Sequence, residues 1–201
     1  QGFSFAGKQL NFADPRSRLF FEFVRILEEA NPRYFLLENV KMKKENQDVI
    51  SRYLGVEPIE INSKLVSAQS RPRLYWTNIP NIEQPKDKGI LLKDILQTEG
   101  DFLYVDENKT INRVYKKNYV QYDINGRGHG SQDQRAFYID NKHGCLDTGC
   151  HGKSKVLLED GRIRHTTIRE KERLQTLPEN YTDAISEPQA SKAIGNGWNV
   201  D

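Results

Sequence analysis

Tyr34-Phe35-Leu36-Leu37-Glu38-Asn39-Val40 is the stretch on which the fold turns. Four apolar or aromatic residues follow one another without alternation, the pattern of a strand covered on both faces in a parallel sheet flanked by helices. The run then ends on an acid and an amide. In such sheets ligands sit beyond the carboxyl ends of the strands, which is where Glu38 and Asn39 emerge. This stretch alone leaves two roles open to Glu38: it caps the next turn, or, partly desolvated at the sheet edge, it holds a proton at neutral pH.

Working outward, Asp14-Pro15 reads as an N-cap followed by proline at the first helical position. Leu19, Phe20, Phe23, Val24, Ile26 and Leu27 then recur at helical spacing until Asn31-Pro32 stops the run. After the strand come a basic turn at 41–44, a helix over 46–54, a strand over 58–62 and the β-prone run Arg73 to Ile79, closed by Pro80. Strands alternating with helices make residues 1–80 an α/β sheet.

From residue 81 to about 160 the pattern lapses. One short helical run, Ile90 to Leu96, is followed by aromatics, glycines and charges with no sustained period, the look of a small irregular insert. Lys109, Arg113, Lys116 and Lys117 alternate with Tyr115 and Tyr119, and Gly126-Arg127-Gly128-His129-Gly130 is a basic, flexible loop; each also fits a plain solvated face or turn. Order returns in 161–201. Thr167-x-x-Glu170 is a capping box opening a helix through Leu174 and Leu177, Ser186-x-x-Gln189 repeats the device, and Gly195 is placed to end that second helix.

Composition narrows the class. The 201 residues allow one domain or a core with a smaller insert, and 36% hydrophobic content permits a core. A net charge of +2 neither requires nor opposes a nucleic-acid partner. Cys145 and Cys150 have no second pair to complete a zinc site, so no metal centre or disulfide framework is expected, and reduced thiols point to the cytoplasm. No apolar run has membrane-spanning length. Gln1 without an initiating Met, and a last stretch, Trp198-Asn199-Val200-Asp201, that closes no element, read as a piece cut at both ends.

Four stretches now fall in order: Gln1-Gly2-Phe3-Ser4; Glu38-Asn39-Val40; Gln69-Ser70-Arg71-Pro72-Arg73; and Arg169-Glu170-x-x-Arg173-Leu174-Gln175 with Gly195-Asn196-Gly197-Trp198. Their order and spacing resemble those of the DNA cytosine-5 methyltransferases over nearly the whole chain outside the insert. The run Ser17 to Arg25 is similar to a segment of the animal de novo enzymes, while Gly195 to Trp198 looks more like bacterial and phage members. The resemblance implies part of a doubly wound, Rossmann-like methyltransferase sheet, with 81–160 as the target-recognition region and 161–201 returning to the catalytic domain. It places the nucleophilic cysteine immediately before Gln1, so the chain by itself is expected not to turn over.

In that family a thiolate adds to C6 of cytosine while a carboxylic acid engages N3. The resemblance gives the acid's part to Glu38, which stabilises charge developing on the ring. Arg71 and Arg73 stand two apart, so on an extended strand both face one way and reach one site. The resemblance assigns Arg73 to Glu38 and the backbone, and Arg71 to the extruded base. Turning the base out of duplex DNA costs a few kcal/mol of unstacking, offset by phosphate contacts. Gln1 and Ser4 fall in the family's mobile loop, Lys8 and Arg16 suit phosphates, and Arg127, His129, Gln132, Gln134 and Arg135 suit base edges. The implied methyl donor is S-adenosylmethionine, with Leu19, Asn196, Gly197 and Trp198 closing its pocket from this side. Two rivals stand beside this reading: a catalytically silent DNA-binding or regulatory relative, and a generic α/β domain that binds a small nucleotide.

Overall fold

A computed structural model describes residues 18–124, 131–149 and 153–201. The chain divides into two units, Gln1–Asn62 with Pro72–Gln84, and Ser63–Arg71 with Pro85–Asp201.

In the first unit, helix α1 (Arg18–Ala30) buries Phe20 and Val24, one turn apart, and rests Phe23 and Leu27 on the same core. Strand β1 (Leu36–Val40) follows, then helix α2 (Lys44–Leu54), strand β2 (Ile59–Asn62) and strand β3 (Pro72–Thr77). Gly55, left-handed at φ +68, ends α2 and returns its N–H to the Ser51 carbonyl. The sheet order is β1-β3-β2, and both outer strands run antiparallel to β3. They therefore run parallel to each other, joined by the α2 crossover. Trp76 and Ile50 are fully buried at the centre, with the Trp76 indole N–H on the Ser51 hydroxyl at 3.0 Å. Burial of a side chain of Ile50's size contributes about 2 kcal/mol.

Here the sequence reading is corrected in two respects. The pairing that β1 makes is antiparallel, and its burial runs from exposed at Leu36 to half-buried at Val40, because it forms one edge of the sheet among the described residues. An unbroken apolar run carries no information about the direction of the neighbour.

The second unit holds a five-stranded sheet: β4 (Thr110–Tyr115), β5 (Tyr119–Ile124), β6 (Arg135–Tyr138), β7 (Lys155–Leu157) and β8 (Ile163–His165), antiparallel except for β6 with β7. The expected irregular insert is thus ordered. Its strands are short, and β7 and β8 bury charges, Lys155 and Arg164, where an apolar residue would have marked the pattern. The Ile90–Leu96 run yields only a 3₁₀ turn at Leu92–Asp94. Helix α3 (Ile168–Leu174) starts at the predicted box: the Thr167 N–H donates to Glu170 Oε2 at 2.9 Å, and the Glu170 N–H to Thr167 Oγ1 at 3.2 Å. Helix α4 (Glu187–Asn196) starts at Ser186 and runs past Gly195. Leu174 and Ile194 of these helices share a core with Leu92, Leu146 and Val156.

Candidate active site

Glu38 lies opposite Tyr75 in the β1–β3 register, and Val40 opposite Arg73. Glu38 and Arg73 are therefore diagonal neighbours on one face of the sheet. Arg73 Nε donates to Glu38 Oε1 at 2.8 Å, with 13% and 20% of the two side chains accessible. Arg73 Nη1 donates to the Pro72 carbonyl at 2.9 Å, which fixes the guanidinium plane. Arg73 therefore holds the Glu38 carboxylate by a directed bond at the carboxyl end of β1. On the opposite face Asn39 folds back, its Oδ1 accepting the Val40 N–H at 2.9 Å.

Arg71 has different partners. The alternation rule for strands does not reach it, since β3 begins only at Pro72. Its guanidinium donates from Nη1 to the Leu146 carbonyl at 2.7 Å and to Cys145 Sγ at 3.2 Å, and from Nη2 to the carbonyls of Gly195 at 3.0 Å and Gly197 at 2.9 Å. Within the chain the two arginines thus have different partners, the acid for Arg73 and backbone carbonyls for Arg71. Gln69 and Gln175, both fully buried, extend this network. Gln69 Nε2 donates to the Leu174 carbonyl and to Gln175 Oε1, and Gln69 Oε1 accepts the Leu146 N–H. Gln175 Nε2 donates to the carbonyls of Ile194 and Gly197. Nothing local in the sequence marks either glutamine as a buried brace.

The acids and arginines of α3 are also structural. Glu170, fully buried, accepts both Arg164 Nη atoms, at 2.7 and 2.9 Å, and the Gln97 N–H at 2.9 Å. Glu172 takes the Thr182 N–H and hydroxyl and the Arg169 guanidinium. Burial raises the Glu172 pKa, but those bonds outweigh it and hold the carboxyl below its ordinary range.

Of the proposed DNA contacts, Gln132, Gln134 and Arg135 are among the described residues, and Gln134 is buried. Arg135 places its guanidinium carbon 5.0 Å from the Tyr119 ring centroid, and its Nε–H is buried with no acceptor among the described residues. With Gln132, Phe137, Asp147 and Lys153 it lines a cavity of about 140 Å³. His143 forms another wall of that cavity. The His143 Nδ1 must carry the proton, because it meets the Gly144 carbonyl at 2.6 Å; Nε2 then accepts from the Ser154 hydroxyl at 2.9 Å, which in turn accepts from Thr166 at 2.7 Å. Burial pushes the His143 pKa down to about 4. Burial likewise lowers that of Lys155 to about 8, with its ammonium on the Asp133 carbonyl at 2.8 Å.

The remaining predicted residues divide simply. Gln1, Ser4, Lys8, Arg16 and Arg127 lie outside the described residues, as do His129 and Cys150. Leu19 is 71% exposed on α1, and Trp198 is 50% exposed just beyond α4, flanking a half-buried Gly197 with exposed Asn196. Cys145 is exposed and free of any disulfide. Among the described residues no helix is long and apolar enough to cross a membrane, and no group of three or more His, Cys, Asp or Glu is placed to hold a metal ion.

A crossover between parallel strands, an antiparallel strand inserted between them and an acid–arginine pair on its face define an α/β fold of the Rossmann-like methyltransferase kind. Two solved structures share it. Dnmt2 methyltransferase of S. pombe matches with a TM-score of 0.64 and 19% identity, over 94% of this chain and 71% of that one. A DNA modification methyltransferase encoded within an E. coli prophage matches with a TM-score of 0.62 and 16% identity, over 94% and 72%. The family profile for C-5 cytosine-specific DNA methylases matches residues 1–201, and the chain belongs to that family. Among curated relatives, the type II methyltransferase M1.ScrFI of Lactococcus lactis subsp. cremoris is 31% identical over 221 residues, covering 98% of this chain and 56% of its own length. M.HhaI of Haemophilus parahaemolyticus is 28% identical, over 98% and 68%. The chain thus spans little more than half of the first of these relatives.

Proposed function

We propose that the chain is the base-activating and target-binding part of a DNA cytosine-5 methyltransferase, which transfers a methyl group from S-adenosylmethionine to C5 of a cytosine turned out of duplex DNA. The observation that carries this reading is the Glu38–Arg73 pair: a carboxylate oxygen pinned at 2.8 Å, with 20% of the acid's side chain still accessible, in a chain of this family. A carboxyl held in that way can meet ring N3 and the exocyclic amine together. It then stabilises charge that appears only as the ring is activated, so the interaction is stronger in the transition state than in the ground state. Arg73 supplies orientation, since its Nε–H and its bond to Pro72 leave the acid one favourable direction.

On the cofactor side, the Trp198 indole is half exposed and Asn196 is exposed at the exit of α4. An aromatic face and an amide suit a purine, so these residues fit part of an S-adenosylmethionine pocket. That molecule, when bound, supplies the electrophilic methyl group. On the DNA side, the unpaired, buried Nε–H of Arg135 beside Lys153 fits the phosphate or base-edge acceptors of a duplex.

The test is Glu38→Gln in the complete protein. Methyl transfer under single-turnover conditions is expected to fall by about 100-fold or more, with duplex affinity changed by no more than about 3-fold. Parallel losses in both remove the acid from the chemistry.

A further inference from the structure

At the exit of α4 the Gly197 N–H turns back to the carbonyls of Ala193 at 2.8 Å and Ile194 at 3.2 Å, but a helix leaves its last carbonyls short of intrahelical donors. Side chains from remote segments reach the carbonyls of this turn as well. Arg71 Nη2 holds the Gly195 and Gly197 carbonyls, and Gln175 Nε2 holds those of Ile194, at 2.7 Å, and Gly197, at 3.2 Å. A guanidinium at a helix C-terminus also meets the negative end of the helix dipole. The same planar group, through Nη1, holds the Leu146 carbonyl at 2.7 Å. Behind it, α4 presses so closely on the 147–148 backbone that a Cβ on Gly195 would lie 1.9 Å from the Asp147 carbonyl oxygen. Asn196 and Trp198, on either side of Gly197 in the clamped turn, are exposed.

We propose that Arg71 is a positioning residue for the cofactor side of the reaction: its guanidinium locks the Gly195–Gly197 turn to the Cys145–Leu146 segment and thereby sets where Asn196 and Trp198 stand. The inference rests on the reading of Asn196, Gly197 and Trp198 as cofactor-facing. It parts from the role that the resemblance gives Arg71, at the extruded base. Only a planar fork with donors on two edges reaches both segments at once; a lysine ammonium is a point charge and serves one of them.

The experiment compares Arg71→Lys with wild type in the complete protein, by calorimetric titration with S-adenosylhomocysteine, gel shift with cytosine-containing duplex, and steady-state kinetics. Arg71→Lys is expected to weaken S-adenosylhomocysteine binding and raise KM for S-adenosylmethionine by about 10-fold, with kcat at saturating donor and duplex affinity each within about 3-fold. A fall in kcat or duplex affinity with unchanged S-adenosylhomocysteine binding puts Arg71 at the base and overturns the proposal; so does no change in any of the three. Trp198→Ala separates the two layers. If it leaves S-adenosylhomocysteine affinity intact, the cofactor reading falls and the inference with it; if it weakens binding while Arg71→Lys does not, the inference alone falls. Should Arg71→Lys fail to fold, Gln175→Met strips the other side-chain cap from the same turn, and there an unmoved KM overturns the proposal.

Discussion

Arg73 reaches Glu38 diagonally across two antiparallel strands, Nε to Oε1 at 2.8 Å, and the same guanidinium is anchored to its own strand through the Pro72 carbonyl. The acid's orientation is thus a property of the sheet register and does not depend on a loop. Arg73→Lys keeps the charge and loses the directed N–H, so single-turnover transfer in the complete protein should drop by about 10-fold while duplex affinity stays within about 3-fold. Full activity in Arg73→Lys would mean that a nearby positive charge suffices and that orientation contributes nothing.

At Gly195 two backbone segments of the second unit approach closely. An added Cβ would meet the Asp147 carbonyl oxygen at 1.9 Å, its carbon at 2.3 Å and the Thr148 nitrogen at 2.9 Å, none of which can swing aside as a side chain would. Gly195→Ala should therefore cost about 3 kcal/mol or more, at the upper end of overpacking effects. At Gly197 the nearest atom is 3.3 Å away, and the same change should cost clearly less. Urea denaturation of the two variants gives the order directly; equal midpoints would refute the close contact.

This glycine also shows where sequence reading stopped. Gly195 after a helical run reads as a stop signal, yet α4 continues to Asn196, because the residue is needed for clearance and not for a left-handed turn. Signals that act within four residues, such as the Thr167–Glu170 box and the α1 stripe of Phe20 and Val24, were legible and correct. The carboxyl end of the Tyr34–Val40 run was legible too, and Glu38 sits there beside Arg73. What chain order hides is partnership at long range. The antiparallel insertion of β3, and the bonds of Arg71 to residues some 75 and 124 positions away, leave no trace in local pattern. In β7 and β8 the buried Lys155 and Arg164 erased the alternation that would have announced strands.

Arg164 and Glu170 form a bidentate pair, at 2.7 and 2.9 Å, with 2% and 0% of their side chains accessible, and Phe102 lies under the guanidinium at 4.2 Å. Such a pair gains little over a well-packed apolar replacement, yet removing one member strands the other charge away from water. Glu170→Ala should cost about 3–5 kcal/mol. Because the second mutation then removes the stranded charge, the double variant Arg164→Met/Glu170→Ala should lose less than the two single losses combined, a non-additivity that a thermodynamic cycle measures. Strict additivity would show that the two groups do not interact.

His143 gives the second unit a pH dependence of defined sign. Its ring is enclosed by Phe137, the Gly144 carbonyl and the Ser154 hydroxyl, and burial holds its pKa at about 4 against an ordinary 6.5. The unfolded chain therefore takes up a proton as pH falls through 6.5, while the folded chain stays neutral until about 4. Between those values the unfolded state binds more protons, so stability contributed by this group rises with pH across the window and is level above it. At 1.36 kcal/mol per unit, the difference between pH 7 and pH 5 is about 2 kcal/mol. Carboxylates also titrate in the lower part of that range, so the measurement is a comparison: urea unfolding at both pH values for wild type and for His143→Gln, whose amide can still donate to Gly144 and accept from Ser154. The wild type should lose about 2 kcal/mol more than the variant on acidification. If the two lose equally, the imidazole is already exchanging its proton with solvent in the folded state, and the Thr166–Ser154–His143 chain does not hold it neutral.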